Sequence, residues 1–133
     1  SVSPKIIDKI NIYQAARLGM KNAIKKLKPD IDLKTIVLVD GKTKIKGVQT
    51  EQMPIVKGDR KVFAIACASV IAKVFRDKLM AKYAKKYPGY GFEKHKGYGT
   101  ARHKARRVLM GPCEIHRRSF APVASVISLP KGR

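Results

Sequence analysis

Apolar residues recur at helical spacing from the start of the chain, at Ile6, Ile10, Tyr13, Ala16, Met20, Ala23 and Leu27, behind a Ser3-Pro4 pair. Serine caps free N–H groups and proline suits the first helical position, so the pattern predicts an amphipathic helix that Lys28-Pro29-Asp30 ends. The run "TIVLVD", residues 35–40, is β-branched and continuously apolar, which predicts a strand buried on both faces of an α/β sheet. Asp40-Gly41 turns the chain at the strand's carboxyl end. The run "MPIVKGD", residues 53–59, predicts a second short strand that again finishes in glycine and aspartate.

From Asp59 to about Tyr87 the pattern is one long helix, with Asp59 also suited to its N-cap. Its first half, "VFAIACASVIA", is apolar nearly all round and belongs in the middle of a domain. The segment "YPGYGFEKHKGYGT", residues 87–100, is a loop by composition, in which Tyr87, Tyr90 and Phe92 pack inward. Thr100 caps a further helix that Gly111-Pro112 terminates, with Arg102, His103, Arg106 and Arg107 on a basic face. The tail "HRRSFAPVASVISL", residues 116–129, predicts a short last helix.

Composition changes this picture in one respect. The chain has 133 residues, a hydrophobic fraction of 44% and a formal net charge of +21, from thirty Lys and Arg against nine Asp and Glu. That length suits a single domain, 1–133, and the charge suits a polyanionic partner, nucleic acid above all. No segment approaches the roughly 20 apolar residues of a spanning helix, and no basic amphipathic helix stands apart for a membrane surface. Cys67 and Cys113 lie in no metal or redox spacing and no secretory signal precedes them, so both are read as reduced thiols of a cytoplasmic protein, Cys67 in the core. His95, His103 and His116 show none of the short repeats of a zinc site.

Against that positive background the acids carry information. Asp40 and Asp59 each close a strand-like run, where open α/β sheets place their ligands. The plain alternatives are a turn residue for Asp40 and a helix cap for Asp59. Together the two carboxylates are the makings of a Mg²⁺ or Mn²⁺ site for phosphoryl chemistry, since both ions take oxygen ligands and two can clamp a phosphodiester. Asp77, beside Arg76, reads as a local salt-bridge or packing residue. Tyr98 stands between Gly97 and Gly99 with Lys94 and Lys96 close by, an aromatic on a backbone open to close approach, suited to stacking on a sugar or base next to a phosphate. The arginines and lysines at 102–107 suit either a solvated face or phosphate contact.

Taken together, "VLVDG", "VKGDRKVFAIACASVIAKVFRD", "YPGYGFEKHKGYGT" and "GPCEIHRRSFAPV" resemble ribonuclease HII, the type 2 ribonuclease H, in order and spacing over nearly the whole chain. The resemblance implies a ribonuclease H-like α/β fold, here an incomplete sheet flanked by helices with a carboxyl-terminal helical part. It implies a metal-dependent endonuclease acting on the RNA strand of RNA–DNA hybrids and 5′ of a ribonucleotide embedded in duplex DNA. Four carboxylates hold two Mg²⁺ or Mn²⁺ ions in that family, and Asp40 and Asp59 match two of them. Tyr98 matches the tyrosine that packs on the deoxyribose at the RNA-to-DNA junction, with Lys96 and its neighbours beside the backbone. The protein would act as a cytoplasmic monomer.

The chain also departs from the family. Members begin with a strand carrying an adjacent Asp-Glu pair and a Gly-Arg-Gly that reads the 2′-OH, and neither occurs here. The acids before Asp40 are Asp8, Asp30 and Asp32, and the chain opens on Ser1 rather than methionine. The expectation is therefore a piece resembling the carboxyl-terminal two thirds of the enzyme, an amino-terminally incomplete catalytic domain that is inactive or nearly so by itself. Two rivals stand beside it: a non-catalytic basic RNA-binding module of ribosomal type, which the net charge would suit, and a DNA-directed phosphodiesterase without ribonucleotide preference.

Overall fold

The structure is a computed structural model that describes residues 1–27 and 35–128. The expected helix end at Lys28-Pro29-Asp30, Asp32 and the last residue of the tail run, Leu129, lie outside the described residues. The elements in order are α1 (Pro4–Lys26), β1 (Ile36–Asp40), β2 (Glu51–Ile55), α2 (Gly58–Lys61), α3 (Phe63–Lys86), α4 (Phe92–His95), α5 (Ala101–Met110) and α6 (Ala121–Ile127). They gather into two compact units, one of Ser1–Val2 with Ile12–Ala72 and one of Ser3–Asn11 with Lys73–Arg133. The helix expected at the start is present, with Ser3 Oγ accepting from the Ile6 N–H at 3.4 Å, but it kinks at Asn11, where φ is 65° and ψ 167°.

The first unit is built on a parallel pair, β1 beside β2, in the register Ile36↔Glu51 to Asp40↔Ile55. The second strand begins at Glu51, earlier than the apolar run suggests, and carries Pro54 opposite Val39. Proline is compatible with this strand because, among the described residues, its outer edge has no strand partner that asks for an N–H. The crossover, residues 41–50, contains no helix and is held by side chains instead. Gln52, buried, accepts from the Ile45 N–H at 2.8 Å and donates to the carbonyls of Ile45 at 3.2 Å and Val48 at 3.1 Å. From α1, Arg17 donates to the carbonyls of Thr43, at 3.1 Å, and Lys44, and to the Tyr13 hydroxyl at 3.0 Å.

Ala15, Val39, Ile45 and Ile65 form this unit's buried apolar set. The expectation of a strand covered on both faces is not met: within β1 only Val39 is buried, and Ile36 and, on β2, Met53 are exposed. Among the described residues the sheet has only these two strands, and this unit's buried apolar set is too small to cover both of its faces. The same holds for the apolar start of α3, where Phe63 is 85% exposed and Val70 and Ile71 are also exposed. The long helix expected from Asp59 is two helices, because Val62 is extended at φ −128° and ψ 118° between α2 and α3. Asp59 accordingly stands in the first turn of α2 rather than at an N-cap; the cap position belongs to Lys57, in the left-handed region at φ 55°.

The second unit centres on Met80, Tyr90 and Phe92, with Tyr83, Ala84, Tyr87, Cys113 and Ile115 packed against them. The segment expected as plain loop contains the single turn α4, and Tyr90 and Phe92 point inward as anticipated, stacked at 5.3 Å between ring centres. Tyr90 donates its hydroxyl proton to the Gly111 carbonyl at 2.7 Å. Thr100 caps α5 by accepting the His103 N–H at 3.2 Å, and Gly111 follows the helix's last residue. The expected all-basic face of α5 is corrected: Arg102 and Arg106 are exposed, whereas His103 and Arg107 are buried. A helix this short against a core must bury one side of its sequence, and here that side is charged or titratable. Asp8 ties the chain's start to the last segment, its carboxylate accepting from the N–H groups of Arg118 at 2.9 Å and Ser119 at 3.0 Å and from the Ser119 hydroxyl at 2.6 Å.

Candidate functional site

The carboxyl end of β1 places Asp40 in the open, and the start of α2 does the same for Asp59. They are linked through the residue between Lys57 and Asp59: the Gly58 N–H donates to Asp40 Oδ1 at 2.9 Å. The Gly41 N–H donates to the Ile55 carbonyl at 3.0 Å, which prolongs the strand pairing to the edge of this site. Gly58 fits here without displacing a neighbour, and a larger residue would need the Ile65 side chain to shift. A Cβ on it would lie 2.6 Å from Ile65 Cδ1 and 3.5 Å from both Asp40 Oδ1 and Ile55 Cβ. The close approach of β1, β2 and α3 around a bare backbone brings the helix-start N–H within reach of the strand-end carboxylate.

The donor set suits a hard divalent cation in kind, since both groups are exposed carboxylates, and Asp40 Oδ2 takes no part in the Gly58 bond. It falls short in number: among the described residues no group of three or more His, Cys, Asp or Glu side chains is arranged to hold a metal ion. Asp77 lies outside this pair, in the second unit, and makes no ion pair among the described residues; the salt bridge found there joins Lys86 and Glu114 at 3.7 Å.

In the second unit the Lys96-Gly97-Tyr98 turn is held at several points. Lys96 and Gly97 both have positive φ, 48° and 81°. The Tyr98 N–H donates to the His95 carbonyl at 2.8 Å, and the Tyr98 carbonyl accepts the Thr100 N–H at 2.9 Å. Arg76 donates to the Lys96 carbonyl at 3.2 Å, and its guanidinium carbon sits 5.6 Å from the centre of the Tyr98 ring. Gly97 is favoured by its positive φ, and a Cβ there would come 3.0 Å from Met80 Cε and 3.3 Å from Arg76 Nη2, so both flexible side chains would have to give slightly. Gly99 is under no such constraint, a Cβ there meeting only Lys104 Cε at 4.0 Å. The outcome is an aromatic ring 62% exposed on a turn whose backbone is pinned.

Sequence reasoning singled out Asp40, Asp59, Tyr98, Lys96, Gly97 and Gly99 as candidates, and it brought together neither Gly58 with Asp40 nor Arg76 with Tyr98. It also separated the three histidines. His95, His103 and His116 are all buried and adjacent: the rings of His95 and His103 stack at 4.3 Å, and the Nε2 atoms of His103 and His116 lie 3.1 Å apart. Burial, then the neighbouring His103, Arg107 and His95, push His116 down to about 4, and burial likewise lowers His103. Cys113, 3.1 Å from His116 Nδ1, is pushed up by burial and is an inert thiol at neutral pH. No local spacing announces this cluster, because its members come from α4, α5 and the turn before α6.

The α/β architecture, with its incomplete parallel sheet and a helical carboxyl-terminal part, is that of a ribonuclease H-like fold. The sequence pattern of the family described as Ribonuclease HII matches residues 1–123, and the chain belongs to the ribonuclease HII family. It is 45% identical over 124 residues to a ribonuclease HII of Carboxydothermus hydrogenoformans, an alignment covering 93% of this chain and 52% of that protein. Over 130 residues it is 51% identical to a ribonuclease HII of Endomicrobium trichonymphae, covering 98% of this chain and 60% of the relative. A ribonuclease HII of Caldicellulosiruptor bescii is 52% identical over 128 residues, or 96% and 59% of the two chains. The chain thus spans about half the length of the curated relatives it matches.

Proposed function

We propose that this chain carries part of the catalytic machinery of a metal-dependent endonuclease that hydrolyses the RNA strand of RNA–DNA hybrids and cuts 5′ of ribonucleotides embedded in duplex DNA. The observation that carries the reading is the Asp40 carboxylate, fixed at the end of a parallel strand by the N–H of the residue before Asp59, in a chain of the ribonuclease HII family. Asp40 and Asp59 would hold Mg²⁺ or Mn²⁺ through their free oxygens. Bound divalent cations at such a site supply nucleophile activation and charge neutralisation at a phosphodiester. The Gly58 N–H orients Asp40 while leaving Oδ2 for that role. In the second unit Tyr98 offers a flat face to a sugar or base, and Lys96 and Arg76 offer positive charge to the adjoining phosphates.

Two carboxylates alone hold Mg²⁺ weakly, so the 133 residues by themselves bind nucleic acid and cleave it poorly. The reading has the protein at work on hybrid and ribonucleotide-containing duplex, in the cytoplasm, as a monomer and away from membranes. The test is cleavage, in Mn²⁺, of a duplex with one embedded ribonucleotide, by the chain alone and with a second polypeptide that carries an adjacent Asp-Glu and a Gly-Arg-Gly. Cutting in the second mixture that needs the ribonucleotide supports the reading. Efficient cutting by the 133 residues alone would sink the incomplete-site argument.

The net charge of +21 favours one other reading, a non-catalytic RNA-binding module. The two part at Asp40: loss of that acid should leave such a module's function intact, whereas it abolishes cleavage by the nuclease.

A further inference from the structure

The three buried histidines have only one consistent assignment of protons. His116 Nδ1 accepts the Cys113 N–H at 3.0 Å, which leaves its proton on Nε2. His103 Nδ1 faces the Tyr98 carbonyl at 2.9 Å, and a carbonyl only accepts, so Nδ1 carries the proton and Nε2 a lone pair. The His116 Nε2–H therefore donates to His103 Nε2 across 3.1 Å. His95 completes the set, accepting the Gly97 N–H on Nδ1 at 3.2 Å and donating from Nε2 to the Tyr90 carbonyl at 2.9 Å. The chain of donors runs from the Cys113 backbone through two neutral imidazoles and ends on the carbonyl of an exposed tyrosine.

A buried pair of imidazoles is an expensive way to fill space, since apolar side chains of like volume leave no polar atom in need of a partner. What the pair adds is direction. Each ring's tautomer is dictated by the bond on its other nitrogen, so His103 presents a donor to Tyr98 and no acceptor. Tyr98 itself contributes little to the core, its ring being mostly exposed, and an exposed ring gains from a fixed backbone only if something lies against it.

We propose that His103 and His116 are positioning residues for Tyr98, a neutral imidazole pair that holds the Tyr98 carbonyl so that the ring is preset for a nucleic-acid sugar or base. The proposal rests on the reading of Tyr98 as a nucleic-acid contact. His116 acts through His103, and neither touches the ligand.

The test uses the 133-residue chain and three readouts. Long-range nitrogen–proton spectra of the parent protein at pH 7 should show His103 protonated on Nδ1 and His116 on Nε2; the opposite tautomer at His103 overturns the proposal without any variant. His116→Asn keeps an acceptor near Nδ1 but has nothing at Nε2, whereas His116→Gln carries an amide donor to about the Nε2 position. The Asn variant should speed amide exchange at Tyr98 and Thr100 about tenfold and weaken binding of a labelled duplex with an RNA–DNA junction by a similar factor, the loss of roughly one hydrogen bond, and the Gln variant should restore both. Unchanged exchange in a folded His116→Asn overturns the positioning role whatever Tyr98 does. If Tyr98→Ala binds the junction duplex as the parent does, the ligand contact fails instead, and the exchange data still report separately on the histidine pair.

Discussion

Asp40 Oδ1 receives the Gly58 N–H at 2.9 Å, so the strand-end carboxylate is anchored by one oxygen while the other takes no hydrogen bond among the described residues. Substitutions that treat the two oxygens differently should therefore separate stability from cation binding. Asp40→Asn can keep an oxygen acceptor for Gly58 and should alter urea stability by less than about 0.5 kcal/mol. Asp40→Ala leaves that N–H without its partner and should cost about 1 to 2 kcal/mol. Both should abolish Mn²⁺-induced broadening of the Asp59 amide signal. A stable Asn variant that still broadens as the parent does would remove Asp40 from the metal site.

Gly97 tests how far the Tyr98 turn depends on a bare backbone. Its φ of 81° and the 3.0 Å that would separate a Cβ there from Met80 Cε both act against alanine. Gly97→Ala should lower stability by about 1 to 2 kcal/mol, the usual penalty for a Cβ in the left-handed region. It should also shift Arg76, whose Nη2 would be 3.3 Å from the new Cβ. Gly99→Ala, with open space and no positive φ, should change stability little. Equal losses at the two positions would contradict this account of the turn.

The same contrast shows what could be read in advance. Asp40, Asp59 and Tyr98 stood out because each is a functional residue type set at the end of an element or between glycines, and both signals are local. Helix starts at Pro4 and Ala101 and the stop at Gly111 were legible for the same reason, capping being decided within a few residues. The break at Val62 was not, because the residues around it read as uninterrupted helix, and no local capping signal marks the extended Val62. The burial of His103 and Arg107 was illegible too. Periodicity puts them on a polar face, and only the meeting of α4, α5 and the segment before α6 shows that this face turns inward. The exposure of Phe63, Val70 and Ile71 reverses an inference that apolarity makes alone, since a helix can be covered only by partners that are present.

The buried histidines make stability depend on mild acid. Burial above all holds His116 at about 4, with His103, Arg107 and His95 acting in the same direction, against an ordinary value of 6.5. The unfolded chain therefore takes up a proton below about pH 6.5 that the folded chain refuses until about pH 4, and stability falls as pH drops through that window. His116 alone should account for about 2 to 3 kcal/mol by pH 4, at 1.36 kcal/mol per pH unit. Asp8, lowered mainly by the Ser119 hydroxyl, acts in the same sense at lower pH: its contribution is intact above its ordinary 3.8 and is lost only in stronger acid. The two windows do not overlap. Urea titrations at pH 7, 5.5 and 4 should show the decline, and His116→Gln, which has no titrating group, should flatten it. A parent protein equally stable at pH 7 and 4 would contradict the burial of a neutral His116.

Lys96 and Tyr98 are neighbours in one turn, yet they should fail in different ways when removed. A lysine that neutralises a phosphate releases a counterion, so its loss weakens binding and also lowers the slope of log K against log salt by about 1. A tyrosine that stacks releases none, so Tyr98→Ala should weaken binding by about 1 to 3 kcal/mol while leaving the slope unchanged. Arg76 links the two, because its guanidinium donates to the Lys96 carbonyl and lies over the Tyr98 ring. Arg76→Ala should consequently show both signatures, a reduced slope and a loss that persists at high salt. Titrations of an RNA–DNA junction duplex at four salt concentrations would give the slopes. If Tyr98→Ala changed the slope as Lys96→Ala does, the ring would be acting by shaping the charged surface rather than by stacking on the ligand.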